Sequence, residues 1–218
     1  MVRGVVVLVL ASSFYGFAIG SVHSPLFGAR NLVKFPLLIL VTAAICSVAY
    51  FLIARMLTPR LGFPEVQALA VGIYRDISLM LASVAPALLF LAYTIDQPTL
   101  RELREYPLFL GLNVAFVALA GTITVIQRSR ALISGRGISL PRGLLIITSW
   151  LALSLLVGGQ WAWFLRPFCG VSALTEETPF LLGSMPDYRG AANFYEAVWH
   201  LFDAPPLPDD WTSQSMML

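Results

Sequence analysis

Gly158-Gly159-Gln160-Trp161-Ala162-Trp163-Phe164-Leu165-Arg166-Pro167-Phe168-Cys169-Gly170 is the junction at which the chain's last long apolar run gives way to a different kind of sequence. The rings of Trp161 and Trp163 prefer the headgroup level of a bilayer, and Arg166 can run its stem along apolar surroundings while its guanidinium reaches water. Pro167 withholds a backbone donor and biases Leu165-Arg166 away from a regular helix, so a membrane helix is expected to end here. Gln160 is the one strongly polar side chain of the last turn inside the membrane. An amide without partners is costly there, so it is expected to face another helix or a hydrated cavity. An interfacial belt with a stop signal accounts for the whole stretch; a ligand or partner site on the same residues is the competing reading.

Composition explains why the run before this junction is read as lipid-embedded. Of the 218 residues, 58 % are hydrophobic and only 12 % charged, about half the charged share of soluble domains. A multi-pass membrane protein follows, with the lipid bilayer as its first partner. A net charge of +2, with no Lys/Arg-rich run interleaved with aromatics, gives no footing for nucleic acid. Cys46 lies midway along an apolar run and Cys169 just past the junction. Such different settings argue against a disulfide, and neither their count nor their spacing suggests a metal or redox motif. Arg3 followed by Gly4 to Gly20 has the parts of a signal peptide; we read it as an uncleaved first span.

At about 20 apolar residues per crossing, five spans are expected, at residues 4–20, 35–57, 77–95, 106–126 and 144–164, in an all-α polytopic bundle that closes at 166. In the first, Ser12, Gly16 and Gly20 recur every four positions, a small-residue face that lets another helix approach closely. Residues 21–34 read as a short loop, broken by Pro25 and Gly28. Residues 65–76 read as a partly interfacial lead-in to the third span, which Pro86 should kink. Arg75 and Asp76 are neighbours and so point about 100° apart on a helix, which makes them a poor intrahelical pair. Each is expected to find a partner on another helix, as an anchor or as part of a polar site. Asn113, Thr122 and Thr124 give the fourth span a mildly polar face suited to interhelical bonding. Residues 127–142 read as a wholly basic loop.

On this threading Arg3, Arg55, Arg60, Arg75, Arg128, Arg130, Arg136 and Arg142 fall on one side, against Arg30, Lys34, Arg101, Arg104, Arg166 and Arg189 on the other. Because positive residues stay cytoplasmic, the N-terminus is expected inside and the tail outside a bacterial inner membrane. The tail, residues 167–218, is acidic. Its organised piece is Asn193-Phe194-Tyr195-Glu196-Ala197-Val198-Trp199-His200-Leu201-Phe202, where Phe194, Val198, Leu201 and Phe202 share a helical face beside Tyr195 and Trp199. That helix is expected to lie along the membrane surface or fold back on the bundle.

Tyr15-Gly16 in the first span, Lys34-Phe35-Pro36-Leu37-Leu38 opening the second and Ala85-Pro86 in the third are followed by Gly159-Gln160-Trp161 through Arg166-Pro167-Phe168 and by Asn193-Phe194-Tyr195-Glu196. In this order of features the chain resembles a family of uncharacterised bacterial multi-pass proteins with a Yip1-like five-helix layout. The resemblance covers about the whole chain and implies a fold, with no activity attached. Where that family more often has a proline after the Cys of the second span, this chain has Ser47, which implies a straighter second helix.

The chemistry expected of a membrane enzyme is missing. Both histidines, His23 and His200, lie outside the spans, no carboxylate sits deep in any of them, and no phosphate-binding glycine loop or metal-ligand spacing occurs. His23 and His200 fall on the same outer side, so a bis-His haem or metal site is geometrically conceivable; no cofactor and no metal are expected. The favoured expectation is a non-catalytic subunit that positions other membrane proteins. Its contact residues are drawn from Ser12, Gly16, Gly20, Gln160, Trp161, Trp163, Arg166, Phe194, Tyr195 and Trp199. The alternatives are a small carrier or channel using Arg75, Asp76, Asn113 and Gln160, and a Yip1-like membrane-shaping protein whose tail helix acts as a surface wedge.

Overall fold

A computed structural model describes residues 2–22, 24–58, 61–94, 106–166, 168, 180–181 and 191–203. Among them lie α1 (Val2–Ser21), α2 (Pro25–Leu57), α3 (Phe63–Thr94), α4 (Tyr106–Gly135), α5 (Leu140–Leu165) and α6 (Phe194–Asp203). The first five are long and apolar enough to cross a membrane, so the protein is an all-α, multi-pass bundle.

Two of the expected loops are mostly helix, each for a local reason. Ser24 caps α2 by accepting a hydrogen bond from the Phe27 amide at 3.3 Å, and Pro25 follows at the first helical position, where its missing N–H is no loss. These residues open a helix in place of breaking one. The helix then runs unbroken through Lys34 and past Pro36, whose ring leaves the carbonyl of Leu32 without its helical donor. The Ser13 hydroxyl of α1 donates to that carbonyl at 2.9 Å, so a neighbouring helix makes good the lost bond. At the other end, α4 continues through Arg128 and Arg130 to Gly135. The basic loop shrinks to a turn at Arg136–Ser139, closed by Gly137 at φ 59° and by an Ile138 amide donating to Ile133 O at 3.2 Å.

Residue levels show how the helices run. Asp76 of α3 meets Arg128 of α4, and Met80 meets Thr124. Tyr50 of α2 meets Trp150 and Ser154 of α5. Gly16 and Gly20 of α1 face Asn31 and Phe27 of α2. Successive spans are therefore antiparallel, and α1 and α3, which also pack on one another, run the same way. Arginines 3, 55, 75, 128, 130, 136 and 142 gather toward one end of the bundle, Asn31, Lys34 and Arg166 toward the other.

The closest approach is between α1 and α2. A Cβ added at Gly16 would lie 2.5 Å from the Asn31 carbonyl oxygen and 2.6 Å from Phe35 Cβ; one at Gly20 would lie 2.5 Å from Phe27 O. Ser12 completes this face, buried and bonded back to Leu8 O at 2.7 Å. In lipid, helix pairs gain little from apolar transfer, so van der Waals contact of this kind, which only small residues permit, carries the association.

Candidate functional site

Three layers of polar side chains link the helices. At the arginine end, Asp76 receives two guanidinium groups. Arg75 donates from Nε and one terminal nitrogen to Asp76 Oδ1 at 2.8 and 2.7 Å, and Arg128 donates from Nε at 2.6 Å, and from a terminal nitrogen, to Oδ2. The sequence expectation is therefore corrected in one respect. The long, flexible Arg75 side chain folds onto its neighbour, so Arg75 and Asp76 do pair within α3, while Asp76 also finds its partner on α4. Arg128 can cross to α3 because Gly72 is bare there, its guanidinium lying 3.6 to 3.9 Å from where a Cβ would stand. Toward the helix ends a second link joins Glu65 to Arg136.

Deeper in, α2, α3 and α5 enclose a knot of neutral groups. Trp150 stacks on Tyr50 with ring centroids 4.7 Å apart and donates its indole N–H to Tyr50 O at 3.2 Å. Ser154 gives its hydroxyl proton to Trp150 O at 2.8 Å and so accepts from the Tyr50 hydroxyl. The buried Tyr74 hydroxyl sits against Cys46 and Tyr50. Among the described residues the groups around Tyr50 and Cys46 are hydroxyls, a thiol and an indole. The chemistry of this layer is that of interhelical bonding.

At the opposite end, Tyr15 donates to Asn113 Oδ1 at 2.9 Å, and Asn113 returns its amide to Phe109 O at 2.8 Å. The Asn31 amide donates to Phe168 O. Phe35 packs edge-on against Tyr15 and Phe168, and Lys34 is buried with its ammonium 4.7 Å from the Phe180 ring centre.

The junction residues separate. Trp163 turns into the bundle and is buried, with Arg166 folded back over its ring at 3.3 Å and donating to its carbonyl at 3.1 Å. Trp161 is half-buried beside Phe164, and Gln160 is half-buried with no hydrogen bond to its amide among the described residues. Gly159 is the seat of the tail helix: a Cβ there would stand 2.7 Å from Phe194 and 2.9 Å from the Tyr195 hydroxyl. That hydroxyl lies 3.0 and 2.8 Å from the carbonyl oxygens of Leu155 and Leu156, and burial pushes the Tyr195 phenol up from its usual range. Asn193 and Glu196 cap α6 reciprocally, Asn193 Oδ1 taking the Glu196 amide at 3.0 Å and Glu196 taking the Ala192 amide at 2.8 Å. The tail helix thus folds back on α5. Trp199 remains 65 % exposed.

The structure thus joins Ser12, Gly16 and Gly20 into one face and Gly159, Phe194 and Tyr195 into another, but keeps Arg75 and Asp76 apart from Asn113. Along α4, Arg128 and Asn113 are about 22 Å apart at 1.5 Å per residue, and Asn113 is committed to Tyr15. No three metal-ligating side chains cluster among the described residues, and His23 lies outside them. The knot around Tyr50 escaped the sequence reading, although Cys46 and Tyr50, and Trp150 and Ser154, are each spaced four apart on a helix face. Compared with known proteins, the chain matches no family model, no curated protein and no solved structure.

Proposed function

We propose that the protein is a non-catalytic integral membrane subunit that scaffolds or stabilises a larger membrane protein complex, in a bacterial inner membrane with its N-terminus cytoplasmic. The observation that carries this reading is the uneven packing of the spans. In the apolar windows of α1, α2 and α3, 39 to 44 % of residues are buried, against 22 % in those of α4 and α5. The latter pair thus offers side chains for contacts beyond this chain. Among the described residues nothing lies within 4 Å of a Cβ position at Gly111 or Gly121 of α4, and small residues open to the membrane let a partner helix come close. The arginine-end carboxylates and Asn113, by contrast, are spent on internal links, which supports a binding role over a catalytic one.

A carrier built on Arg75, Asp76, Asn113 and Gln160 draws less support, since the first two and Asn113 occupy opposite ends. A Yip1-like membrane-shaping role would need α6 as a free wedge, and Phe194 and Tyr195 are seated on α5.

Gly121→Leu separates partner contact from folding. Nothing among the described residues opposes the larger side chain, so the variant should unfold at the same temperature as the parent. The mass of the gently extracted assembly should meanwhile fall toward that of the monomer. A parent protein that is already a lone monomer, or an assembly that the variant leaves intact, would count against the scaffold.

A further inference from the structure

We propose that the Arg75–Asp76–Arg128 layer is a binding site for the phosphate of an anionic phospholipid. Two cations share one carboxylate, leaving a charge of +1 (two minus one) between α3 and α4. Each guanidinium carries five N–H donors and uses two on Asp76. Six donors are left over, and among the described residues nothing else bonds them. The side chains are 35 and 40 % exposed, so these donors face outward from the helix pair. Forked donors of this kind match the oxygens of a phosphate.

Depth identifies the source of that phosphate. From Arg75 to the end of α3 at Thr94 is about 28 Å of helix, close to the roughly 30 Å of a bilayer's hydrocarbon core. The Glu65–Arg136 link lies farther toward the helix ends, about 12 Å beyond Arg128 along α4. The Arg75–Arg128 pair is therefore at the boundary where lipid phosphates lie, and the outer link belongs in water or among headgroups. Because Asp76 neutralises only one arginine, the surplus charge selects a lipid whose headgroup is net negative over one whose phosphate is balanced by an amine.

The test is native mass spectrometry of the full chain from micelles holding equimolar phosphatidylglycerol and phosphatidylcholine. The parent should retain phosphatidylglycerol preferentially. Arg128→Gln and Arg75→Gln should each lower that preference about fivefold, the contribution of one arginine at an anionic surface. Arg130→Gln, an exposed arginine outside the layer, should lower it by less than either of these. Arg75 bonds within its own helix, so its variant keeps the α3–α4 link and reads the site even if Arg128→Gln fails to fold. Equal retention of the two lipids, or a preference that survives in Arg75→Gln, would overturn the proposal. So would displacement of phosphatidylglycerol by millimolar inorganic phosphate, which would make the ligand a free anion.

Discussion

Gly16→Leu should yield almost no folded protein. The backbone of α2 stands where the first carbon of any side chain would go, 2.5 Å away at Asn31 O, so no rotamer relieves the contact and α1 must move off. Overpacking typically costs about 1–3 kcal/mol. Even Gly16→Ala should fall in that range, and leucine beyond it, because the displacement would also break the Ser13 bond to Leu32 O and the Tyr15 bond to Asn113. Denaturation in mixed micelles, followed by tryptophan fluorescence, measures the loss. A leucine variant as stable as the parent would mean that α1 and α2 do not approach as described. Set beside Gly121→Leu, which should spare the fold, the pair distinguishes a glycine used within the chain from one open to the membrane.

Trp150→Ala should be the second most damaging substitution. The indole is fully buried, stacks on Tyr50 and donates to its carbonyl. Trp→Ala in a water-soluble core costs about 3–5 kcal/mol, from lost transfer energy together with the cavity left behind. In a bundle surrounded by lipid the transfer part shrinks, since the unfolded helices are solvated by acyl chains, while the cavity part stays. The expected cost is therefore near the lower figure, about 3 kcal/mol. Trp150→Phe keeps a ring over Tyr50 and loses chiefly the indole hydrogen bond, at about 1 kcal/mol. The same micelle denaturation, followed by helical circular dichroism, ranks the two; an alanine variant no worse than the phenylalanine one would show that Trp150 is not the core of this layer.

Helix number and the apolar middles of the spans were legible in the sequence because they follow from the length of uncharged runs, and lipid leaves the backbone few alternatives. The helix ends were less legible. Lys34, Arg128 and Arg130 closed the apolar windows, but a charge ends a hydrophobic run without ending a helix. The α2 and α4 helices go on past these residues for as long as the backbone can bond to itself. The terminating signals lay elsewhere, in the Ser24-Pro25 start and the left-handed Gly137.

The four-residue spacing of Ser12, Gly16 and Gly20 pointed to a close-packed face on α1. Nothing in the sequence said that its partners would include Phe27 and Asn31, since residues 21–34 read as loop. The link from Asp76 to Arg128 likewise depends on which helices lie side by side, a matter of packing that one helix's periodicity does not contain. Tyr195 was visible as part of an amphipathic helix, whereas its seat at Gly159 required knowing where the tail returns.

The most direct measurement is of sidedness. After Cys46→Ala and Cys169→Ser, single cysteines can be placed at Ala29, exposed near the start of α2, and at Ser139, exposed in the α4–α5 turn. If the helices cross the bilayer as arranged here, these positions lie on opposite faces. In sealed vesicles a membrane-impermeant maleimide should reach one of them and react with the other only after permeabilisation. Labelling of both from the same side would contradict the bundle as described and the lipid site placed at its arginine end.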